Sequence, residues 1–252
     1  MEDIETFNKN GFVLIKNFFT EEESEQIVNF ANTLETWNET ANKWMIFFEK
    51  EKKKSRIEQF IDYYPELNEF MKTKVYPKVN SINGSDMNLF KDKLNWKHGG
   101  GNGFNAHQDH PAWTDFEPNI YISVALFANN STKQNGCLQF GKGETKLVKE
   151  CDYNKEGMGE IKKEIEDKLE WDFSETTPRD LLLFDSFVPH RSFKNTTDHS
   201  RRIFYFTFND TKFGNLYNDY FITKRNNFPP DIERTKKVKL NNNKYNLANP
   251  IL

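Results

Sequence analysis

The chain has 252 residues, of which 36% are hydrophobic and 29% charged, and its formal net charge is −3 at pH 7. Its 24 Phe, 9 Tyr and 5 Trp supply enough apolar surface for a folded core, which excludes an intrinsically disordered protein. The lack of a basic excess argues against nucleic-acid binding, and the lack of an eighteen-residue apolar run argues against a membrane span.

The predicted elements begin with a strand and a helix near the N-terminus. Phe12–Ile15 is a short apolar run between Gly11 and Asn17, which predicts a strand. Thr20 and Glu23 form a capping box, which predicts a helix that continues to about Thr33. Further helices are expected over residues 37–78, because apolar side chains recur there at helical spacing. They are Trp44, Phe47, Phe48, Ile57, Phe60 and Ile61.

The middle of the chain is rich in β-forming residues. Three runs predict strands, Ile120–Phe127, Leu181–Phe184 and Ile203–Phe208, and turn signals such as Asn135-Gly136 separate them. Short strands with this punctuation favour a β-sandwich or jelly roll. The charged segment Glu156–Glu170 predicts a helix inserted between strands, and the Lys/Asn-rich tail from Thr235 is expected on the surface.

No internal repeat or low-complexity linker divides the chain, so we expect one domain over residues 1–252. It comprises a helical N-terminal part over about 20–80, a jelly-roll core over about 88–210 and a C-terminal extension over 211–252. The predicted fold class is mainly β with flanking helices (α+β).

His107-Gln108-Asp109 follows a glycine-rich stretch and is a candidate metal site. On an extended segment, residues two apart project to the same face, so His107 and Asp109 can share one ion. The best candidate for a third ligand is His190, just past an apolar strand. Two histidines and one carboxylate are typical of non-haem Fe(II) oxygenases. The same set also serves zinc, so a zinc hydrolase stays open as an alternative.

Arg201 lies 11 residues after His190, at the start of a predicted strand. Its guanidinium is suited to bind the distal end of a dicarboxylate through two parallel hydrogen bonds. The neighbouring Arg202 is expected to point to the opposite face of the strand.

The sequence resembles the phytanoyl-CoA dioxygenase family of Fe(II)- and 2-oxoglutarate-dependent oxygenases. The resemblance runs from residue 11 to about 208, which is most of the chain. It rests on Gly11-Phe12-Val13, Phe18-Phe19, His107-Gln108-Asp109, Asn135-Gly136-Cys137-Leu138, Asp180–Ser186, Pro189-His190-Arg191-Ser192, Asn195 and Arg201.

The resemblance implies a double-stranded β-helix, the cupin-like jelly roll, with Fe(II) as cofactor, 2-oxoglutarate as cosubstrate and O2 as oxidant. It implies that iron binds to His107, Asp109 and His190, and that Arg201 binds the C5 carboxylate of 2-oxoglutarate with support from Ser192. Asn95, Phe104 and Ser123 match positions near the cosubstrate in some members. Asp109 is present where halogenating relatives lose this carboxylate, so the resemblance favours hydroxylation.

Several aromatic and basic residues are candidates for the wall of the substrate pocket. The aromatic candidates are Trp96, Phe104, Trp113 and Tyr205. Lys91, Lys93 and Lys97 share strand parity with Asn95, so one or more are expected to face the pocket and meet an anionic group, Lys93 first. The segment Lys224–Arg234 is similar to the closing segment of bacterial family members that hydroxylate small aminophosphonates.

The predicted function is therefore hydroxylation of an unactivated C–H bond in a small polar metabolite, with an aminophosphonate as one candidate. Oxidative cyclisation or desaturation of an amino-acid-derived metabolite is an alternative, and a non-catalytic jelly-roll binding protein is a second. The expected partner is a small molecule, not nucleic acid or membrane, and the protein is expected to be a monomer or homodimer. Only Cys137 and Cys151 are present and Met1–Glu5 is acidic, so a cytoplasmic location is expected.

Overall fold

Two antiparallel sheets face each other and enclose an inner core. The computed structural model describes residues 1–49, 52–142 and 159–234. Within these residues the strands are β1 (Phe12–Ile15), β2 (Met45–Phe48), β3 (Lys54–Glu58), β4 (Met87–Lys97), β5 (Phe104–His107), β6 (Ile122–Phe127), β7 (Leu138–Lys142), β8 (Glu170–Ser174), β9 (Leu181–Asp185), β10 (His190–Ser192) and β11 (Arg201–Asp210). The larger sheet has the order β1-β9-β6-β11-β4-β3-β2, and the smaller has the order β5-β10-β7-β8.

The helices lie mainly against the larger sheet, whereas the single turn over Lys163–Glu166 lies beside the smaller one. They are α1 (Glu2–Asn10), α2 (Glu21–Thr36), α3 (Pro65–Phe70), α4 (Tyr76–Asn83), α5 (Lys163–Glu166) and α6 (Tyr217–Asn227). The predicted capping box is present, because the Thr20 hydroxyl accepts from the Glu23 amide at 3.2 Å and the Glu23 carboxylate accepts from the Thr20 amide at 2.9 Å. In the described part of the chain, the helices are all too short or too polar to cross a bilayer.

The larger sheet buries side chains on both of its faces. Along β11, Phe204, Phe206 and Phe208 belong to a core shared with the helices. Ile203 and Tyr205 alternate with them and belong to the inner core, which they share with the smaller sheet. Polar residues on the inner face are therefore enclosed between the sheets, and this is where the site lies. The mainly β architecture with flanking helices is confirmed, as are strands at all three predicted runs.

The prediction of helices over 37–78, and of a helical part over about 20–80, is wrong for Met45–Phe48 and Lys54–Glu58. These residues form β2 and β3, which extend the larger sheet beyond β4, so the β core also starts before residue 88. Met45, Ile46 and Phe47 are all buried. Because both faces of β2 are covered, the strand lacks the alternation of apolar and polar residues, and its apolar run imitates a helical stripe.

The predicted helix over Glu156–Glu170 is confirmed only over Lys163–Glu166 and is wrong for the other described residues of that segment. Residues 156–158 lie outside the described residues, α5 is a single turn, and Glu170 begins β8. The tail from Thr235 and Cys151 likewise lie outside the described residues, whereas Cys137 is buried with a free thiol. In the C-terminal extension, α6 packs against β4 and brings Lys224 towards the inner face of the larger sheet.

Candidate active site

Strand pairing brings the two predicted histidine ligands together. His107 ends β5 and His190 begins β10, and the two residues are direct partners in the antiparallel register. Their ring centroids lie 4.1 Å apart. Asp109 follows two residues after His107, with its Oδ1 atom 3.9 Å from His107 Nε2. One donor atom from each of the three residues lies within 4.8 Å of the others, so these side chains can hold one metal ion.

Backbone carbonyls orient both imidazole rings. His107 Nδ1 donates to the carbonyl of Asn105 at 2.7 Å, and His190 Nδ1 donates to the carbonyl of Val188 at 3.1 Å. This fixes the tautomer and leaves Nε2 of each ring available to a metal.

The protonation states also suit a metal. Burial raises the pKa of Asp109, but the neighbouring charges of His190, Lys91 and His107 outweigh it and lower the pKa to about 2. Burial and the charge of His107 lower the pKa of His190 to about 3. At neutral pH the site thus offers one carboxylate and a neutral His190 ring, which are the states that bind a divalent cation.

A cavity of about 780 Å³, including its open mouth, surrounds the three residues. Eight of the residues predicted for cosubstrate or substrate line it together with His107, Asp109 and His190: Lys91, Lys93, Asn95, Phe104, Trp113, Ser123, Ser192 and Tyr205. Trp96 is an exception among the aromatic candidates, because it pairs with Arg202 and packs in the core on the helix side of the sheet.

Arg201 does not line this cavity but is buried next to it, on the same face of β11 as Tyr205. It pairs in register with Lys97 of β4. Arg201 Nη1 donates to the carbonyl of Gly136, while its Nε atom has no hydrogen-bond partner within the described residues. Arg202 points to the other face, as predicted, and pairs with Glu35.

Lys97 pairs with Arg201 and also contacts Ser192, which lines the cavity. Its ammonium donates to Ser192 Oγ at 2.7 Å and to the carbonyl of Phe193 at 2.6 Å. Burial and the charge of Arg201 lower the pKa of Lys97 to about 6. Gly136 allows this close packing, since a Cβ atom there would lie 2.2 Å from the Phe193 carbonyl and 2.9 Å from Lys97 Nζ. Two buried cations and a hydroxyl form a cluster suited to a carboxylate.

The opposite part of the cavity is built on β3, β4 and β11. The register places Lys93 between Glu58 and Tyr205, and Lys91 beside Thr207. Arg56 Nε lies 2.8 Å from Glu58 Oε1 as an ion pair, and Glu58 Oε2 accepts from Lys224 of α6. Burial raises the pKa of Glu58, but the charges of Lys224 and Arg56 lower it to about 2.

Sequence reasoning missed Arg56, Glu58 and Lys224 as residues of the cavity. Arg56 and Glu58 lie in the segment that was expected to be helical, and charged residues of this kind are usually on the surface. Lys224 does fall in the segment similar to bacterial aminophosphonate hydroxylases, and this was the one available signal.

Two relatives of known name match almost the whole chain. A 2-aminoethylphosphonate dioxygenase from the uncultured bacterium HF130_AEPn_1 is 38% identical over 250 residues, which cover 96% of this chain and 94% of the relative. A methylphosphonate hydroxylase from Gimesia maris is 29% identical over 242 residues, which cover 94% of this chain and 91% of the relative.

Solved structures share the fold at low sequence identity. EctD from S. alaskensis with bound Fe superposes with a TM-score of 0.73 at 18% identity, over 84% of this chain and 77% of that one. The same protein with 2-oxoglutarate and 5-hydroxyectoine gives a TM-score of 0.71 at 16% identity, over 84% of this chain and 76% of that one. The likeness confirms the predicted jelly-roll fold.

The family model of phytanoyl-CoA dioxygenase (PhyH) matches residues 7–203. This is well over half of the chain, and it includes the three candidate metal ligands and Arg201. The chain therefore belongs to the phytanoyl-CoA dioxygenase family and is a non-haem dioxygenase that uses Fe(II), 2-oxoglutarate and O2.

Proposed function

We propose that this protein hydroxylates a C–H bond of a small phosphonate, with 2-aminoethylphosphonate as the first candidate and methylphosphonate as the second. The observation that carries the proposal is the charge of the cavity. Five cationic side chains among the described residues line it, Arg56, Lys91, Lys93, Arg191 and Lys224, against two carboxylates, Glu58 and Asp109. Two relatives that match more than nine-tenths of the chain bear the names of phosphonate-oxidising enzymes.

His107, Asp109 and His190 are the proposed ligands of iron. The donor set of two imidazoles and one carboxylate fits Fe(II) and leaves coordination positions for other molecules. When bound, iron and 2-oxoglutarate together supply the oxidising chemistry that inserts one oxygen atom from O2 into a C–H bond and yields succinate and CO2. The chain itself orients the two rings through the carbonyls of Asn105 and Val188.

Arg201, Lys97 and Ser192 are the proposed binding site of the C5 carboxylate of 2-oxoglutarate. The Arg201 Nε atom is buried without a partner, which is costly unless an acceptor arrives. Ser192 Oγ lies on the cavity wall and is held by Lys97, so it is positioned to meet the same carboxylate. Asn95, Ser123 and Phe104 line the adjoining wall and are proposed to contact the cosubstrate.

The aromatic side chains of the cavity are proposed to exclude water from the reacting carbon. Trp113 is 2% exposed and packs edge-on against Phe90 and Tyr121. Tyr205 lies on the inner face of β11 beneath the Lys93 ammonium. A dry wall protects reactive species from side reactions with solvent.

Substrate-dependent formation of succinate tests the proposal. The protein with Fe(II), 2-oxoglutarate and O2 is incubated with 2-aminoethylphosphonate, methylphosphonate, β-alanine or taurine, and succinate and product mass are measured. We expect coupled succinate with a phosphonate and a product heavier by one oxygen atom. A product that has instead lost two hydrogens would support cyclisation or desaturation, and phosphonate-independent turnover with a different substrate would refute the proposal.

A further inference from the structure

Two lysines in the cavity lack the ionic partners that the other cations have. Arg191 pairs with Glu166 at 2.5 Å, and Glu58 is shared by Arg56 and Lys224. Lys93 lies directly across from Glu58 in the β3–β4 register, yet both oxygens of that carboxylate are already occupied.

The ammonium groups of Lys91 and Lys93 contact aromatic rings instead. Lys91 Nζ lies 4.2 Å from the centroid of Trp113 and 5.8 Å from that of Tyr220. Lys93 Nζ lies 4.8 Å from the centroid of Tyr205. Within the described part of the chain, neither ammonium has an ion pair or a hydrogen bond.

Enclosing two such charges without a direct ion pair is unfavourable, and the carboxylates of Asp109 and Glu58, which lie beyond ion-pair distance, offset only part of this cost. Lys91 and Lys93 are two residues apart on one face of β4, so each repels the other. Burial and this repulsion lower the pKa of Lys91 to about 7, and burial also lowers the pKa of Lys93. Beside them, Arg56 Nη2 is buried, has no hydrogen-bond partner among the residues that the structure describes, and belongs to the same wall. The cavity therefore contains three donor groups that await an acceptor.

We infer that Lys91 and Lys93, with the free Nη2 of Arg56, bind the phosphonate group of the substrate. This assignment rests on the proposed function and extends it by naming the residues that recognise the substrate. The second anion-binding cluster, Lys97 with Arg201, lies further along the same two strands, so substrate and cosubstrate have separate anchors.

The chemistry of the three donors matches a phosphonate better than a carboxylate. A phosphonate has three acceptor oxygens and carries up to two negative charges, whereas a carboxylate has two oxygens and one charge. Each ammonium offers up to three N–H donors, and the guanidinium adds an N–H group at its unoccupied edge. A phosphonate with two negative charges can neutralise both lysines at once, whereas a carboxylate can neutralise only one.

Binding measurements on two neutral variants test the inference. Lys91→Met and Lys93→Met keep an unbranched side chain that is one atom shorter and remove its charge. With Fe(II) and 2-oxoglutarate bound and oxygen excluded, calorimetry gives the Kd of methylphosphonate and of 2-aminoethylphosphonate. We expect each variant to weaken both phosphonates by ~10–100-fold, as for loss of a charge-assisted hydrogen bond, while the Kd of 2-oxoglutarate stays within about twofold.

Lys97→Met is the matched control, because Lys97 is a buried lysine on the same face of the same strand. It should show the reverse pattern, with weaker 2-oxoglutarate binding and little change for the phosphonates. In Lys91→Met and Lys93→Met, the ratio of the Kd of acetate to the Kd of methylphosphonate should also fall.

Each other outcome overturns the inference in a recognisable way. If the unaltered protein binds and oxidises a phosphonate but both Met variants bind it with unchanged Kd, the assignment of these lysines is wrong and the proposed function stands. If the variants lose 2-oxoglutarate affinity to the same extent, the lysines have a general structural role. If the unaltered protein binds neither phosphonate, the inference and the proposed function fail together.

Discussion

The two ends of the cavity contain buried lysines from the same strand, but in different surroundings. Lys97 is held by a hydroxyl and a carbonyl at hydrogen-bond distance. The Lys91 ammonium lies over the rings of Trp113 and Tyr220 and has no hydrogen bond or ion pair among the described residues. At the end assigned to the cosubstrate, protein groups thus already hold the lysine in place, and we call this end preassembled. At the other end, the lysine ammonium has no polar partner among the described residues. Identity of the substrate is therefore expected to depend on the second end.

The largest expected effect comes from removing one of the proposed metal ligands, which lie between the two ends of the cavity. His107→Ala or His190→Ala should weaken Fe(II) binding by more than ~100-fold, because even the groups that merely orient a ligand contribute ~10–100-fold. The charge-transfer absorption band that Fe(II) and 2-oxoglutarate form on the protein without oxygen should vanish. His199→Ala is the control, since the His199 side chain is 89% exposed, and a lost band there would contradict the assignment.

The next largest effect concerns the buried ion pairs of Glu58 with Arg56 and Lys224, which support the substrate end of the cavity. Glu58→Gln should lower the free energy of unfolding by ~3–5 kcal/mol, because it leaves Arg56 and Lys224 buried without an anion. Urea denaturation measures this loss. Asp172→Asn breaks an exposed pair with Lys142 and should cost less than ~1 kcal/mol. Equal losses in the two variants would show that the buried ion pairs of Glu58 stabilise the fold no more than the exposed pair does.

Arg201→Ala tests the preassembled end. It should weaken 2-oxoglutarate binding by ~2–5 kcal/mol, because the carboxylate loses a buried charged partner, while phosphonate binding changes far less. Calorimetry with each ligand separates the two effects. Arg202→Ala, the adjacent residue on the opposite face, is the matched control, and a similar loss of affinity there would argue against a specific role for Arg201.

The smallest effect is a pH dependence that reports on the unpaired lysine. Burial and the charge of Lys93 lower the pKa of Lys91 from 10.5 to about 7, with Asp109, Glu58 and Arg56 as the other charged neighbours. Between these values the unfolded chain binds a proton that the native ammonium has released, so the free energy of unfolding should rise with pH. Lys97 contributes with the same sign above its pKa of about 6.

Urea denaturation of the ligand-free protein at pH 7 and at pH 9.5 measures this slope. Lys91→Met should reduce it, and methylphosphonate should reduce it in the unaltered protein by keeping the ammonium charged. An unchanged slope in Lys91→Met would show that Lys91 titrates normally and is not desolvated.

The grouping of the proposed metal ligands could be predicted in part because some of their geometry depends on local rules. His107 and Asp109 are two apart, and Arg201 and Arg202 alternate on one strand, so parity alone assigns their faces. The Arg56–Glu58–Lys224 cluster could not be predicted in this way. Glu58 and Lys224 are 166 residues apart, and their contact depends on how α6 packs on the sheet. The strand that carries Glu58 adjoins β2, which is buried on both faces. The sequence there therefore lacks the alternation of apolar and polar residues that would indicate strands.

Because His107 and His190 are proposed iron ligands, their pairing would link iron loading to the correct alignment of β5 and β10. A slip of one residue between these strands would send one imidazole to the opposite surface of the smaller sheet and leave the ion with an incomplete set of donors. Iron added during refolding should therefore select correctly aligned chains by mass action, since it binds the native state and not its misaligned competitors. In cells short of iron, the same dependence would make the yield of native enzyme sensitive to nutrient supply.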